Sequence, residues 1–122
     1  MKEKIAAMNA YFDEQTALCA RRRSTLRAEG YSDDADFEKI RANVFEIFRT
    51  VLSVAVKTNP DNPSAVRQFF LQKTEDIPKS WRSALEAAEQ HGDAARIHPE
   101  LLKLDTVSAI RAHFAEVWRE AL

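Results

Sequence analysis

Phe37–Val56, FEKIRANVFEIFRTVLSVAV, decides the fold, because twelve of its twenty residues are apolar or alanine. At ~100° per residue these side chains spread over an arc of roughly 200°, wider than the stripe a helix needs to face one neighbour. Two or more surfaces must therefore cover it. The polar side is Lys39, Asn43, Glu46, Arg49, Thr50, Ser53 and Lys57. Arg41 is the exception, because at helical spacing it falls inside the apolar arc near Phe45, Phe48 and Leu52.

Upstream, Ile5, Met8, Phe12, Gln15, Cys19, Arg22 and Leu26 follow an unbroken three-four spacing, the seam of a coiled-coil-like packing face. Gln15 and Arg22 are its polar members, and long side chains such as these reach past the edge of a contact at little cost. Tyr11 and Leu18 widen the face on one side, and Gly30 is a natural stop. The spacing predicts one helix over about 2–29 and a second over about 33–57, folded back antiparallel through a short turn. Ser32, Asp33 or Asp34 is expected to cap the second helix, with Asp36 and Glu38 adding negative charge to its first turn.

Asn59-Pro60-Asp61-Asn62-Pro63 is a turn by its residue chemistry. Beyond it the pieces are shorter. Pro63 or Ser64 starts a helix to about Thr74 carrying Val66, Phe69 and Phe70 on one face; Pro78 opens another, with Trp81, Leu85 and Ala88 inward and Gly92 as its stop. Pro99 begins a last helical region to about 121, with Asp105 as an internal cap that leaves open whether it is one helix or two. The expected fold is all-α: a bundle of about five helices forming one domain over residues 1–122, a long antiparallel hairpin covered by helices at about 63–74, 78–91 and 99–121.

Composition limits function. Two glycines and four prolines in 122 residues leave long segments rich in helix formers, and no sheet is expected. Lys plus Arg number 18 against 19 Asp plus Glu, with ten of each sign in residues 1–61, so there is no basic excess of the kind nucleic-acid and anionic-membrane binders show. One cysteine excludes an internal disulfide, the amino terminus MKEKIAAM lacks a signal-peptide core, and no apolar run approaches a membrane span. A cytoplasmic location is the expectation.

No motif specifies a chemistry. Arg21, Arg22, Arg23 and Arg27 form the one basic cluster, suited to phosphate contacts. They also end the first helix, across the turn from Asp33, Asp34, Asp36 and Glu38, so the bland expectation is mutual neutralisation. The helix pair at 64–91 has roughly helix-turn-helix length, but with Trp81 as anchor the small position falls on Leu71 and the turn has no glycine. His91, His98 and His113 lack the Glu-x-x-His spacing of a carboxylate-bridged metal site. Cys19 lies on the apolar seam, where cysteine behaves as a small hydrophobe. Neither a metal nor a cofactor is expected, and no catalytic residue stands out.

Three functional readings follow. The first is a non-enzymatic protein–protein interaction module that self-associates as a homodimer, with the flank Phe45, Leu52 and Val56 of the core helix facing the partner and Val44, Ile47, Val51 and Val54 facing the rest of the chain. The second is a nucleic-acid-binding regulator using Arg21–Arg27 or the 64–91 helix pair. The third is a small-ligand site between helices, in which Arg41, Arg22 or Gln15 orients an acidic or amide ligand.

Overall fold

The computed structural model describes residues 1–119, and every regular element among them is helical: α1 Lys2–Ala28, α2 Ser32–Thr58, α3 Pro63–Asp76, α4 Pro78–Gln90 and α5 Ala94–Val117. α1 and α2 form the expected antiparallel hairpin. Its turn is set by Gly30, whose φ of +86° lies in the left-handed region. There the Gly30 N–H donates to the Arg27 carbonyl (3.1 Å) and the Tyr31 N–H to the Leu26 carbonyl (2.8 Å), closing α1 with a Schellman motif. Gly92 repeats the device after α4, with Asp93 N–H donating to the Ala88 carbonyl at 2.8 Å.

Helix starts follow the sequence less closely. Tyr31 occupies the N-cap of α2 and no side chain caps it; Ser32, Asp33 and Asp34 are already inside the first turn. The acidic pair therefore acts through the helix dipole. Asn62, by contrast, caps α3 by accepting the Ala65 N–H at 3.1 Å, with Pro63 in the first turn as its missing donor permits. α5 begins five residues before Pro99 and runs unbroken through Asp105, so it is one helix with neither a start at Pro99 nor an internal cap at Asp105. Pro99 sits in its second turn, where its lack of an N–H affects only the exposed Ala95 carbonyl. Positions 120 and 121 of the expected last helix lie outside the described residues.

α3 and α4 form a single bent rod. Ile77 between them keeps helical dihedrals (φ −60°, ψ −44°), and Pro78 supplies the bend. Asp76 secures the joint by accepting from Gln72 Nε2 and Lys79 Nζ, both at 3.1 Å, and the Lys79 ammonium holds its carboxyl below the usual range. Counting that rod as one, the chain is an up-down-up-down bundle. α5 runs parallel to α2, since Phe37 and His98 meet edge to face (4.4 Å, 69°) near both starts. It runs antiparallel to the bent rod, since Trp118 Nε1 donates to the Pro63 carbonyl (3.3 Å), Arg111 meets Glu75 (3.8 Å) and Lys103 lies over Trp81.

α2 packs against α1, α3 and α5, which is why its apolar arc is so wide. Its Val44, Phe48, Leu52 and Ala55 are buried with Met8 and Phe12 of α1, Val66 and Phe70 of α3, and Ile110 and Phe114 of α5. Phe70, Phe114 and Trp118 form a ladder of rings, with centroids 4.3 and 5.1 Å apart. α4 packs on α5 and touches neither helix of the hairpin, because the bend at Pro78 turns it away from α2. Among the described residues, no helix is long and apolar enough to cross a membrane.

Candidate functional site

The flank of α2 expected to face a partner is buried within the chain instead. Phe45 and Leu52 are 5% and 1% exposed, and Val56 is half-buried. α1 covers them, held there in part by the ion pair between Arg49 Nη1 and Asp13 Oδ1 at 2.6 Å. On the other flank Val44 is buried as expected, at 2% exposed, whereas Ile47 and Val54 are 38% and 41% exposed with Val51 half-buried between them. Both flanks have the same apolar character in sequence, so only the position of α1 distinguishes them.

Four of the residues singled out from sequence converge nevertheless. Gln15 and Arg22 of α1 and Arg41 and Phe45 of α2 line one pocket of about 140 Å³. α1 reaches it with Tyr11, Gln15, Cys19 and Arg22, successive members of one helical stripe. The third wall is α5, with Leu102, Asp105, Thr106 and Ala109 on one face at i, i+3, i+4, i+7 spacing. Leu52 and Val56 lie elsewhere, on a shallow groove with Ile5, Asn9 and Lys57 toward the opposite end of the hairpin.

The pocket joins charge to an apolar floor. Cys19, Phe45 and Leu102 are each about 5% exposed or less and form the floor. Arg41 Nε stands 3.9 Å from Glu38 Oε1, within ion-pair range but beyond a hydrogen bond, and both Arg41 Nε and Glu38 Oε2 are buried without a hydrogen-bond partner. Arg22 and Asp105 are exposed, and among the described residues neither makes an ion pair within 4.0 Å. Thr106 is buried, its hydroxyl donating to the Leu102 carbonyl at 2.7 Å. Burial pushes the Cys19 thiol up to about 11, with the Glu38 charge adding to the effect and Arg41 and Arg22 opposing it. The cysteine is therefore a protonated, weakly nucleophilic thiol at neutral pH.

Tyr11, Glu38 and Asp105 belong to this constellation although the sequence assigns them other parts: a widened seam, a first-turn charge and a cap. For Tyr11 and Asp105 the signal is present in the two stripes Tyr11-Gln15-Cys19-Arg22 and Leu102-Asp105-Thr106-Ala109, each of which mixes polar with apolar members; Glu38 stands one turn before Arg41 on α2. That the stripes face each other is a property of the bundle alone.

The remaining candidates stay apart. In the basic cluster only Arg27 meets an acid across the turn, Asp36 at 4.0 Å, so the neutralisation there is loose. The α3–α4 pair has one helical residue where a helix-turn-helix needs a turn of three or four, so it cannot fold one helix onto the other. His113 stacks on Tyr11 (3.9 Å, 11°) and His98 packs on Phe37, and among the described residues no group of three or more His, Cys, Asp and Glu side chains is arranged to hold a metal. No protein-family model, curated protein or solved structure matches the chain.

Proposed function

We propose that the protein is a non-enzymatic helical interaction module that self-associates through the Ile47, Val51 and Val54 stripe of α2. One observation carries the reading: Ile47 and Val54, seven residues and two turns apart on the helix at the centre of the bundle, are both about two-fifths exposed. A second copy laid across the stripe by a two-fold axis buries the same residues on both sides.

The contact is small. A stripe of three aliphatic side chains offers less than the roughly 800 Å² per partner of a standard stable interface, so the dimer is weak and concentration-dependent. Sedimentation velocity between 5 and 500 µM tests it. The weight-average mass is expected to rise from the 13.9 kDa of one chain toward twice that value, and Ile47→Glu with Val54→Glu to abolish the rise. A mass that stays at one chain throughout, or a rise unchanged in the double variant, refutes the proposal.

A further inference from the structure

We propose that the pocket between α1, α2 and α5 is a binding site for a small zwitterion, an α-amino acid with a compact apolar side chain. Arg22 and Arg41 take the carboxylate and Asp105 the ammonium. The site lies on the side of α2 away from Ile47 and Val54, so it stands or falls independently of self-association.

The charges select the ligand class. Three helices bring charge to the pocket lining, Arg22, Arg41 and Asp105, and Glu38 stands 3.9 Å from Arg41 beside it, so groups of both signs meet there. Opposite charges with flexible side chains on a protein surface ordinarily close on one another, yet neither Arg22 nor Asp105 has an ion-pair partner within 4.0 Å among the described residues. Arg41 is only loosely engaged by Glu38, whose carboxylate lies 3.9 Å from an Nε that makes no hydrogen bond, and its side chain is 42% exposed, so the guanidinium keeps capacity for a further acceptor. A planar carboxylate matches guanidinium donors in geometry as well as charge. A simple anion of the same size would have to sit against Asp105, and a simple cation against two arginines. A zwitterion satisfies both sides.

Size and floor narrow the class. About 140 Å³ holds four or five waters at roughly 30 Å³ each, far below the volume of a nucleotide or sugar site but sufficient for alanine, serine or valine. Phe45, Leu102 and the un-ionised Cys19 thiol present an apolar surface to the side chain. Ala109 keeps the third wall open where a longer residue would fill it. Gln15 stands beside the arginines as a further neutral donor and acceptor.

The test is an amide NMR titration of the intact chain with L-valine, isobutyrate and isobutylamine, which share one hydrocarbon group and differ in charge. Valine is expected to give saturable shifts at Gln15, Arg41 and Asp105 in the millimolar range, with the two single-charge probes at least tenfold weaker. Arg22→Gln and Arg41→Gln should each weaken valine tenfold or more, Arg41→Lys less so, and Asp105→Asn should remove the preference for valine over isobutyrate. Arg22 and Asp105 are exposed, so those variants should keep the circular dichroism and melting temperature of the parent. No saturable shift with valine to 100 mM overturns the proposal. So does equal binding of isobutyrate and valine by the unaltered chain, which would make the pocket a plain anion site, and so does undiminished valine binding in the arginine variants.

Discussion

Phe69 and Phe70 stand side by side in sequence and are equally apolar, yet truncating them should have very different consequences. Phe70 is fully buried, stacked on Phe114 at 4.3 Å and edge-on to Phe48 at 6.1 Å. Removing its ring to alanine loses the transfer free energy, leaves a cavity among side chains held from three other helix surfaces, and destroys two aromatic contacts. Core Phe→Ala substitutions of this kind destabilise by about 3–5 kcal/mol, of which each aromatic pair supplies roughly 0.5–1.5 kcal/mol. Phe69 is half-buried at the margin of the core, with Lys73 Nζ 5.5 Å from its ring centre. Phe69→Ala gives up only part of one side chain's burial, about 1–2 kcal/mol. A domain of this length has a stability of about 5–15 kcal/mol, so both variants should fold well enough to measure. Urea unfolding followed by circular dichroism at 222 nm should show a midpoint loss at least twice as large for Phe70→Ala as for Phe69→Ala, with unchanged slopes. Equal losses, or a larger one for Phe69→Ala, would mean that α3 is turned by about 100° on its axis and that the ring ladder does not exist.

Two further outcomes follow from backbone and thiol. Gly30 has φ +86° with nothing within 4 Å of the place a methyl group would take, so Gly30→Ala meets only backbone strain and should lower stability by about 1 kcal/mol, with Gly30→Asn milder; thermal melts of the three chains check this. Cys19 titrates near 11 when folded against an ordinary 9.0. Its contribution is therefore complete below pH 9 and is lost as pH rises from 9 toward 11, because the unfolded chain releases the proton first. Urea midpoints at pH 8 and 10.5 should fall further for the parent than for Cys19→Ala, and a parallel fall in both would disprove a raised thiol.

The bundle was legible because its strongest cues are local. The 200° arc over Phe37–Val56 demanded several neighbours, and α2 has three. Gly30, Gly92, Pro63 and Pro78 marked ends that backbone geometry alone enforces. Structure departs from local preference where a residue has an alternative outlet. Asp33 and Asp34 favour a capping position but serve equally as first-turn charges, and Tyr31 took the cap. Pro99 favours a first turn, yet a second turn is tolerated when the carbonyl it orphans faces water.

Which flank of α2 is covered was not legible at all, since Phe45, Leu52 and Val56 on one side and Ile47, Val51 and Val54 on the other have the same chemistry. The side on which α1 lies is set by how α1, α3 and α5 pack together around α2, which the hydrophobic spacing of α2 alone does not encode. Arg41 was different in kind. A cation inside an apolar arc contradicts the pattern around it, and a contradiction in one helix implies a matching polar element on another. α1 supplies one at Gln15 and Arg22, where the seam is interrupted, and α5 supplies another at Asp105, between Leu102 and Thr106. Three helices thus each break their own apolar stripe at the level where they meet. Isolated polar intrusions into three separate stripes would each weaken packing, whereas at one level they share a pocket. The same concentration of polar groups that interrupts the packing there is the basis of the proposed ligand site at that level.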